Sequence, residues 1–484
     1  MSYRILGVIY LAILLSGCAS VGPNYQRPVL KAPAQWTESQ EQAGLTLALE
    51  ETAWWRAFDD SVLNSLIEEA ARNNLDMEQA RARIKQARAD VKKADAVALP
   101  SVQATGSMTR SEGGTNTIAS KSLAPESLAT TPGTIFQAGF DANWEIDVFG
   151  GTRRSVEAAR ARLDSSVEDL RAILLTLLGD VAKNYVDLRA NQVQREITRR
   201  NVKAQQETVE VTPERFRLGL TTYLDVAQAE AQKAATESNL PALETAIKQS
   251  IHRLGILLGK EPNALKTELS EPWPIPQTNG VLAMGLPSDL LSRRPDLRQL
   301  ELELAAASAD IGVAMAELYP KFDLTATLGL QGNNLSKLWD ISEGRYWSVV
   351  PGVTWNLFDG GKARATVKNR EALYEENLAK YRLSFLKALE EVENALAAYY
   401  AEQTKHRIVA ESVRANEEAV ALAKERYHRG LTSFLDVLTA QNSLYTAQSN
   451  LSQSEGNIIA NLISLYKALG GGWDAADVRV AKVF

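Results

Sequence analysis

Phe136-Gln137-Ala138-Gly139-Phe140-Asp141-Ala142-Asn143-Trp144-Glu145-Ile146-Asp147-Val148 is the stretch on which the fold turns. Apolar and polar residues alternate along it, so an extended chain puts Phe136, Phe140 and Trp144 on one face and Asp141, Glu145 and Asp147 on the other. Phe322, Leu324, Ala326, Leu328 and Leu330 repeat the pattern, as do Trp347, Val349, Val353, Trp355 and Leu357 around Pro351. Val102, Ala104, Gly106 and Met108 make a weaker fourth run. About ten residues at period two, with aromatics near the ends, is the pattern of a transmembrane β-barrel strand. It places strands near 101–110, 135–149, 320–332 and 346–358. Four strands cannot close a membrane barrel, which needs about eight, and lipid does not tolerate open edges. The chain must therefore oligomerise: two copies supply about eight strands and a filled interior, three supply about twelve and room for a lumen. Asp141, Glu145 and Asp147 are then expected on the lumen face with a mild cation preference, although carboxylates on a solvated face are also ordinary.

Between the strands the sequence is helical and duplicated. Glu214-Arg215-Phe216, Gly219-Leu220-Thr221 and Leu224-Asp225-Val226 recur as Glu425-Arg426-Tyr427, Gly430-Leu431-Thr432 and Leu435-Asp436-Val437, offset by 211 residues. Ala89-Asp90 and Pro100 recur as Ala309-Asp310 and Pro320, offset by 220, the difference falling in a Ser/Thr/Gly-rich loop at 105–135. Helices are expected at 62–98, 152–218 and 222–258, and again at 288–318, 362–429 and 433–469. The two longest would run about 100 Å at 1.5 Å per residue, which implies an elongated antiparallel coiled-coil shaft. The organisation predicted is an N-terminal segment at 18–61, a first repeat at 62–260 with a turn near 219–222, a linker at 261–286, a second repeat at 287–470 with a turn near 430–433, and a tail at 471–484.

Composition narrows the function. With 53 basic and 59 acidic residues among 484, net charge −6, the chain lacks the basic surface by which nucleic acid is bound. A single cysteine and three histidines, at 252, 406 and 428, offer no metal set or disulfide framework. Gly255-Ile-Leu-Leu-Gly259-Lys260 has three residues between its glycines where a phosphate loop has four, and Glu261 stands in place of the magnesium-binding hydroxyl. No catalytic motif or cofactor fingerprint appears, and an enzyme is not expected.

Residues 1–17 carry one positive charge at Arg4 and an apolar run from Ile5 to Leu15, about half the length needed to cross a bilayer, which marks an export signal. No other apolar stretch is long enough to span, so any crossing is by strands. Leu15-Ser16-Gly17-Cys18 resembles the bacterial lipobox, which implies lipidation at Cys18; Ala19 after it resembles the class sorted to the outer membrane.

Thr222 with Asp225, and Ser433 with Asp436, fit the capping box, and Gly219 and Gly430 suit the left-handed residue that ends the preceding helix. Capping alone could explain both turns. Taken with Val21-Gly22-Pro23-Asn24-Tyr25-Gln26-Arg27-Pro28, Trp54-Trp55…Phe58-Asp59 and Trp355…Phe358-Asp359-Gly360-Gly361, they make the chain resemble the TolC-like outer-membrane efflux factors, in the lipid-anchored branch that serves resistance–nodulation–division pumps. The resemblance implies a homotrimer with a 12-strand β-barrel, four strands from each chain, continued by an α-helical tunnel. It also implies docking onto a periplasmic adaptor and an inner-membrane pump, and passive export of small molecules such as drugs. By the same resemblance the turns form the periplasmic tip, Asp225 and Tyr427 match positions that pair across neighbouring helices to hold it closed, and Asp436 matches one lining its narrowest ring. Thr432 stands where some relatives carry a gate arginine, Thr439 where some carry an aspartate, and Pro213 is expected to kink or restart the helix before the tip. The competing expectation is a lipid-anchored periplasmic coiled-coil adaptor or scaffold, which would not need a lipid-facing aromatic band.

Overall fold

A computed structural model describes residues 20–37, 53–111, 133–277, 289, 293–336 and 341–471. Cys18, residues 112–132 of the long loop, the end of the 261–286 linker and the tail beyond 471 lie outside the described residues.

The strands are β1 (Ser101–Ser111), β2 (Gly133–Ile146), β3 (Lys321–Gly332) and β4 (Arg345–Thr354), joined antiparallel in the order β1-β2-β3-β4. The pairing brings the alternating residues onto common faces. Ala104 sits opposite Phe140, Phe140 opposite Leu328 and Leu328 opposite Trp347, while Val102, Ala142, Ala326 and Val349 form the next row. Side chains of one parity line one face only when the register is even, so this pairing concentrates the apolar set on one side. Phe140, Leu328 and Trp347 are all exposed in the single chain.

The helices are α1 (Ser61–Asn73), α2 (Leu75–Val97), α3 (Gly151–Arg217), α4 (Tyr223–Glu237), α5 (Leu240–Leu257), α6 (Pro295–Ala316), α7 (Lys362–His428) and α8 (Phe434–Ala468). Both α3 and α7 contain 67 residues and begin 211 residues apart. Two expected helices are broken. At 62–98 the chain pauses at Asn74, whose side chain accepts the N–H groups of Asp76 (2.8 Å) and Met77 (3.1 Å) and so starts α2 afresh. At 222–258 it breaks at Ser238 and Asn239, because Pro241 has no N–H and its ring clashes with the carbonyl four residues back. The second repeat has Ser452 at that point, and α8 is unbroken. Conversely, α3 continues through Pro213 without the restart expected there. In the second repeat the described helix spans Pro295–Ala316, and position 288, where the expected helix starts, lies outside the described residues.

Two compact units are present, and they cut across the repeats. The unit of residues 1–28, 84–165 and 300–380 holds the sheet. In it Arg154, 4% exposed, donates to the carbonyls of Val21 (3.1 Å) and Gly22 (3.3 Å) and to Asn24 Oδ1 (2.7 Å), clamping the N-terminal strap. Gly22, at φ 90°, crosses Gly312 so closely that a Cβ would lie 2.5 Å from the Gly312 Cα. The unit of residues 29–83, 166–299 and 381–484 has its core at Trp54, fully buried and stacked 5.2 Å from Tyr466. There Asp60 caps α1 through Leu63 N–H (2.9 Å) and accepts the buried Tyr185 hydroxyl (2.8 Å).

Within the sheet-bearing unit the duplication reappears at atomic level. Trp144 Nε1 donates to the Ala98 carbonyl (2.9 Å) and Trp355 Nε1 to the Leu318 carbonyl (3.1 Å). The two indoles are 211 residues apart and the two carbonyls 220, the same offsets as in the sequence repeat. Trp144→Phe and Trp355→Phe are each expected to cost about 1 kcal/mol, because a carbonyl loses its donor, and to add in the double variant. Thermal unfolding in detergent, followed by circular dichroism, measures this; unchanged midpoints would show that the indoles are not anchors.

Candidate functional site

The two long helices end in the same way. Leu220 N–H reaches the Arg215 carbonyl (2.9 Å) and Gly219 N–H the Phe216 carbonyl (3.0 Å); Leu431 and Gly430 repeat this with Arg426 (2.9 Å) and Tyr427 (3.0 Å). These are Schellman closures, which require a left-handed residue. Gly219 and Gly430 supply it, at φ 67° and 70°, with open space around both, so it is backbone conformation and not room that calls for glycine.

Each turn then delivers a carboxylate to the first turn of the next helix, where the helix dipole favours negative charge. Asp225 accepts from the Thr221 hydroxyl, with the Thr222 hydroxyl at 3.5 Å. Asp436 accepts from the Thr432 hydroxyl, from Ser433 Oγ (3.1 Å) and from Ser433 N–H (3.2 Å), the carboxylate half of a capping box. The Thr432 and Ser433 hydroxyls hold the Asp436 carboxyl below the usual aspartate value. Thr432 is thus a local donor to the Asp436 carboxylate. Thr439 bonds the Leu435 carbonyl (2.8 Å). Among the described residues the ion pairs near the turns, Arg217 with Glu214 and Arg429 with Glu425, are each local to one helix end.

Tyr427 lies beneath these turns, buried with Ala229, Phe434 and Val437. Its ring is 5.5 Å from Phe434, and the Arg215 guanidinium sits over it at 4.6 Å, a cation–π geometry. The Tyr427 hydroxyl is buried and finds no hydrogen-bond partner among the described residues. Asp225 and Tyr427 are therefore not bonded to each other within one chain. Arg215 and Phe434 were not singled out in the sequence; the repeat marks Arg215 as the counterpart of Arg426, but only the helix crossing reveals which ring it covers.

Beyond these turns, α3 and α8 meet along a polar seam. Gln194 bonds Ser449 (2.8 Å), Asn201 bonds Gln448 (3.1 Å) and Gln441 bonds Thr208 (3.4 Å), while Gln232 and Asn442 pair between α4 and α8. Leu218, Leu220, Tyr223 and Leu224 at the first turn, and Leu431 and Leu435 at the second, present exposed apolar side chains.

On the sheet, Asp141 stands opposite Gln103 and Thr327 and accepts from the Thr105 hydroxyl (2.8 Å). Glu145 stands opposite Asp323, a carboxylate pair that the period-two pattern alone does not reveal. Asp147 lies past the end of β2 and accepts the N–H (2.9 Å) and Nε (3.2 Å) of Arg153, so it caps the start of α3 instead of extending the strand face.

The family model for outer membrane efflux proteins matches residues 66–260 and 286–471. The chain is 32% identical over 467 residues to Nodulation protein T of Rhizobium leguminosarum bv. trifolii, covering 96% of this chain and 97% of that one. It is 34% identical over 482 residues to the pyoverdine export outer membrane protein OpmQ of Pseudomonas putida, covering 98% of each. Among solved structures, the outer-membrane channel OprN superposes with a TM-score of 0.86 at 31% identity, over 94% of this chain and 99% of that one. VceC of Vibrio cholerae gives 0.78 at 27%, over 87% and 99%. The chain belongs to the outer membrane efflux protein family: it is a subunit of a trimeric exit duct that lies in the outer membrane, extends into the periplasm and works with an adaptor and a resistance–nodulation–division pump.

Proposed function

We propose that the turns at 219–222 and 430–433 form the closed end of this duct, with repeats 62–260 and 287–470 as its wall and Cys18 as its lipid anchor. In the trimer Asp225 and Asp436 would bring six carboxylates around one axis, with Tyr427 wedged behind them. The observation that carries this is the matched geometry of the two turns: each hands one carboxylate to a helix start, and the Tyr427 hydroxyl is left buried and unsatisfied. A buried polar group without a partner costs roughly 1–3 kcal/mol, so a state in which Tyr427 gains one is favoured. Asp141 and Glu145 would face the lumen. Passage needs no catalysis in this subunit, since the pump supplies the energy. The pyoverdine named for one relative suggests small molecules as cargo.

Three outcomes are expected. Asp225→Ala or Tyr427→Phe raises passive conductance of the closed trimer in planar bilayers; unaltered conductance would leave only a capping role. The depressed Asp436 carboxyl keeps its cap through the range in which an ordinary aspartate protonates and loses it only as pH falls through its own lower value. Protection of the Ser433 amide from hydrogen exchange, corrected for intrinsic rates, should accordingly persist below about pH 4, the midpoint of an ordinary aspartate, in the native chain and be weaker over that range in Asp436→Asn. Pro213 removes a donor inside α3 at a cost of about 3 kcal/mol. Pro213→Ala should stiffen the helix end and change adaptor-dependent export, and an identical drug-susceptibility profile would count against that role.

A further inference from the structure

Two arginines close the last turn of α3 and are placed in opposite ways. Arg217 is exposed and pairs with Glu214 of its own helix. Arg215 makes no ion pair among the described residues; its guanidinium lies 4.6 Å from the centre of the Tyr427 ring, and its Nε is buried without a hydrogen-bond partner. A guanidinium sheds water without gaining a carboxylate where an aromatic face stands in for part of its hydration. Thr212, one turn earlier, is fully buried and its hydroxyl also finds no partner among the described residues. This end of α3 therefore turns a poorly satisfied polar face inward, onto the ring.

The ring it covers is a joint of four helices. Tyr427 of α7 packs with Phe434 and Val437 of α8 and Ala229 of α4, and Val209 of α3, Ala423 and Leu438 lie half-buried against them. Because Arg215 stands at the C-terminal end of α3, where the helix dipole favours a cation, the contact ties α3 to α7 and α8 just before the turns. Farther along, α3 and α8 are joined by neutral amide and hydroxyl pairs, which exchange for water at small net cost.

The duplication shows that this contact is not generic to the motif. At the offset of 211, Tyr427 corresponds to Phe216 and Arg215 to Arg426. Phe216 is 44% exposed and lies 5.8 Å from Tyr223 of its own turn, and Arg426 is exposed. Only one of the two related arginine positions has been turned onto the joint.

We propose that Arg215 is the positioning residue of the closed state: its guanidinium on the Tyr427 ring holds α7 and α8 against α3 within one subunit, and its release frees Tyr427 and lets the two turns separate. The proposal rests on the turns being the closed end of the duct and adds the residue that holds them there. The contact lies inside one chain and does not depend on how copies meet.

The test uses the full-length trimer in planar bilayers. R215M keeps much of the side chain's length but removes its charge, and should raise passive conductance about five-fold. R215K, which keeps a cation for the ring, should stay near the native value, as should R217M, which removes an equal charge from the same helix end away from the ring. In a Y427L background, R215M should add nothing, because its partner is already gone. The heating temperature at which the R215M trimer dissociates should match the native one; a lower temperature overturns positioning in favour of a structural role. Native conductance in R215M, with Tyr427→Phe still conducting more, overturns the contact as a latch and leaves the closed-end reading standing; if both variants conduct as the native protein does, that reading itself falls. A leak in R215K as large as in R215M, or a further leak from R215M in the Y427L background, overturns the cation–ring attraction.

Discussion

A backbone N–H or C=O facing hydrocarbon has no water to bond, and the sheet of this chain leaves two rows of them, along β1 and β4. That constraint governs the rest. The sheet can exist in a bilayer only when β4 of one chain meets β1 of the next, so the chain is folded for assembly and not for independence. The exposed row of Phe140, Leu328 and Trp347, which would mark an aggregation hazard on a soluble monomer, suits a lipid-facing belt in an assembled barrel.

The same logic of incomplete halves extends into the helices. Matched lengths of α3 and α7, twin indole-to-carbonyl bonds from Trp144 and Trp355, and twin side-chain-to-carbonyl bonds from Asn74 and Arg294 show a duplicated unit that has kept its contacts while its side chains diverged. The two copies differ at particular points. Pro241 breaks one return helix where Ser452 leaves the other whole, and Phe216 is half out in solvent where its counterpart Tyr427 is buried. The gate proposed for these turns needs two arrangements of similar stability. The polar seam between α3 and α8 provides contacts that can be exchanged for others at small net cost, unlike an interlocked leucine core.

Much of the candidate site was legible in advance because it is local. Gly219, Gly430, Asp225 and Asp436 lie within a few residues of the turns they shape, and turn chemistry acts over that distance. Thr432 shows where locality was not enough: measured against relatives it stood as a missing arginine, whereas in the folded turn its hydroxyl donates to Asp436. Asp147 shows the opposite error, since alternation continues past the point at which hydrogen bonding stops, and only the ladder marks where the strand ends.

The amino-acid sequence by itself determined the strand faces, the duplication, the turn residues and the need for several copies, because period, offset and backbone conformational demand are written along the chain. The tertiary structure alone decided which residues meet across elements: Arg215 over Tyr427, Glu145 beside Asp323, and Arg298 against Glu168. Those meetings depend on strand register and helix crossing, which are set by packing summed over the whole chain and leave no short-range trace in the order of residues.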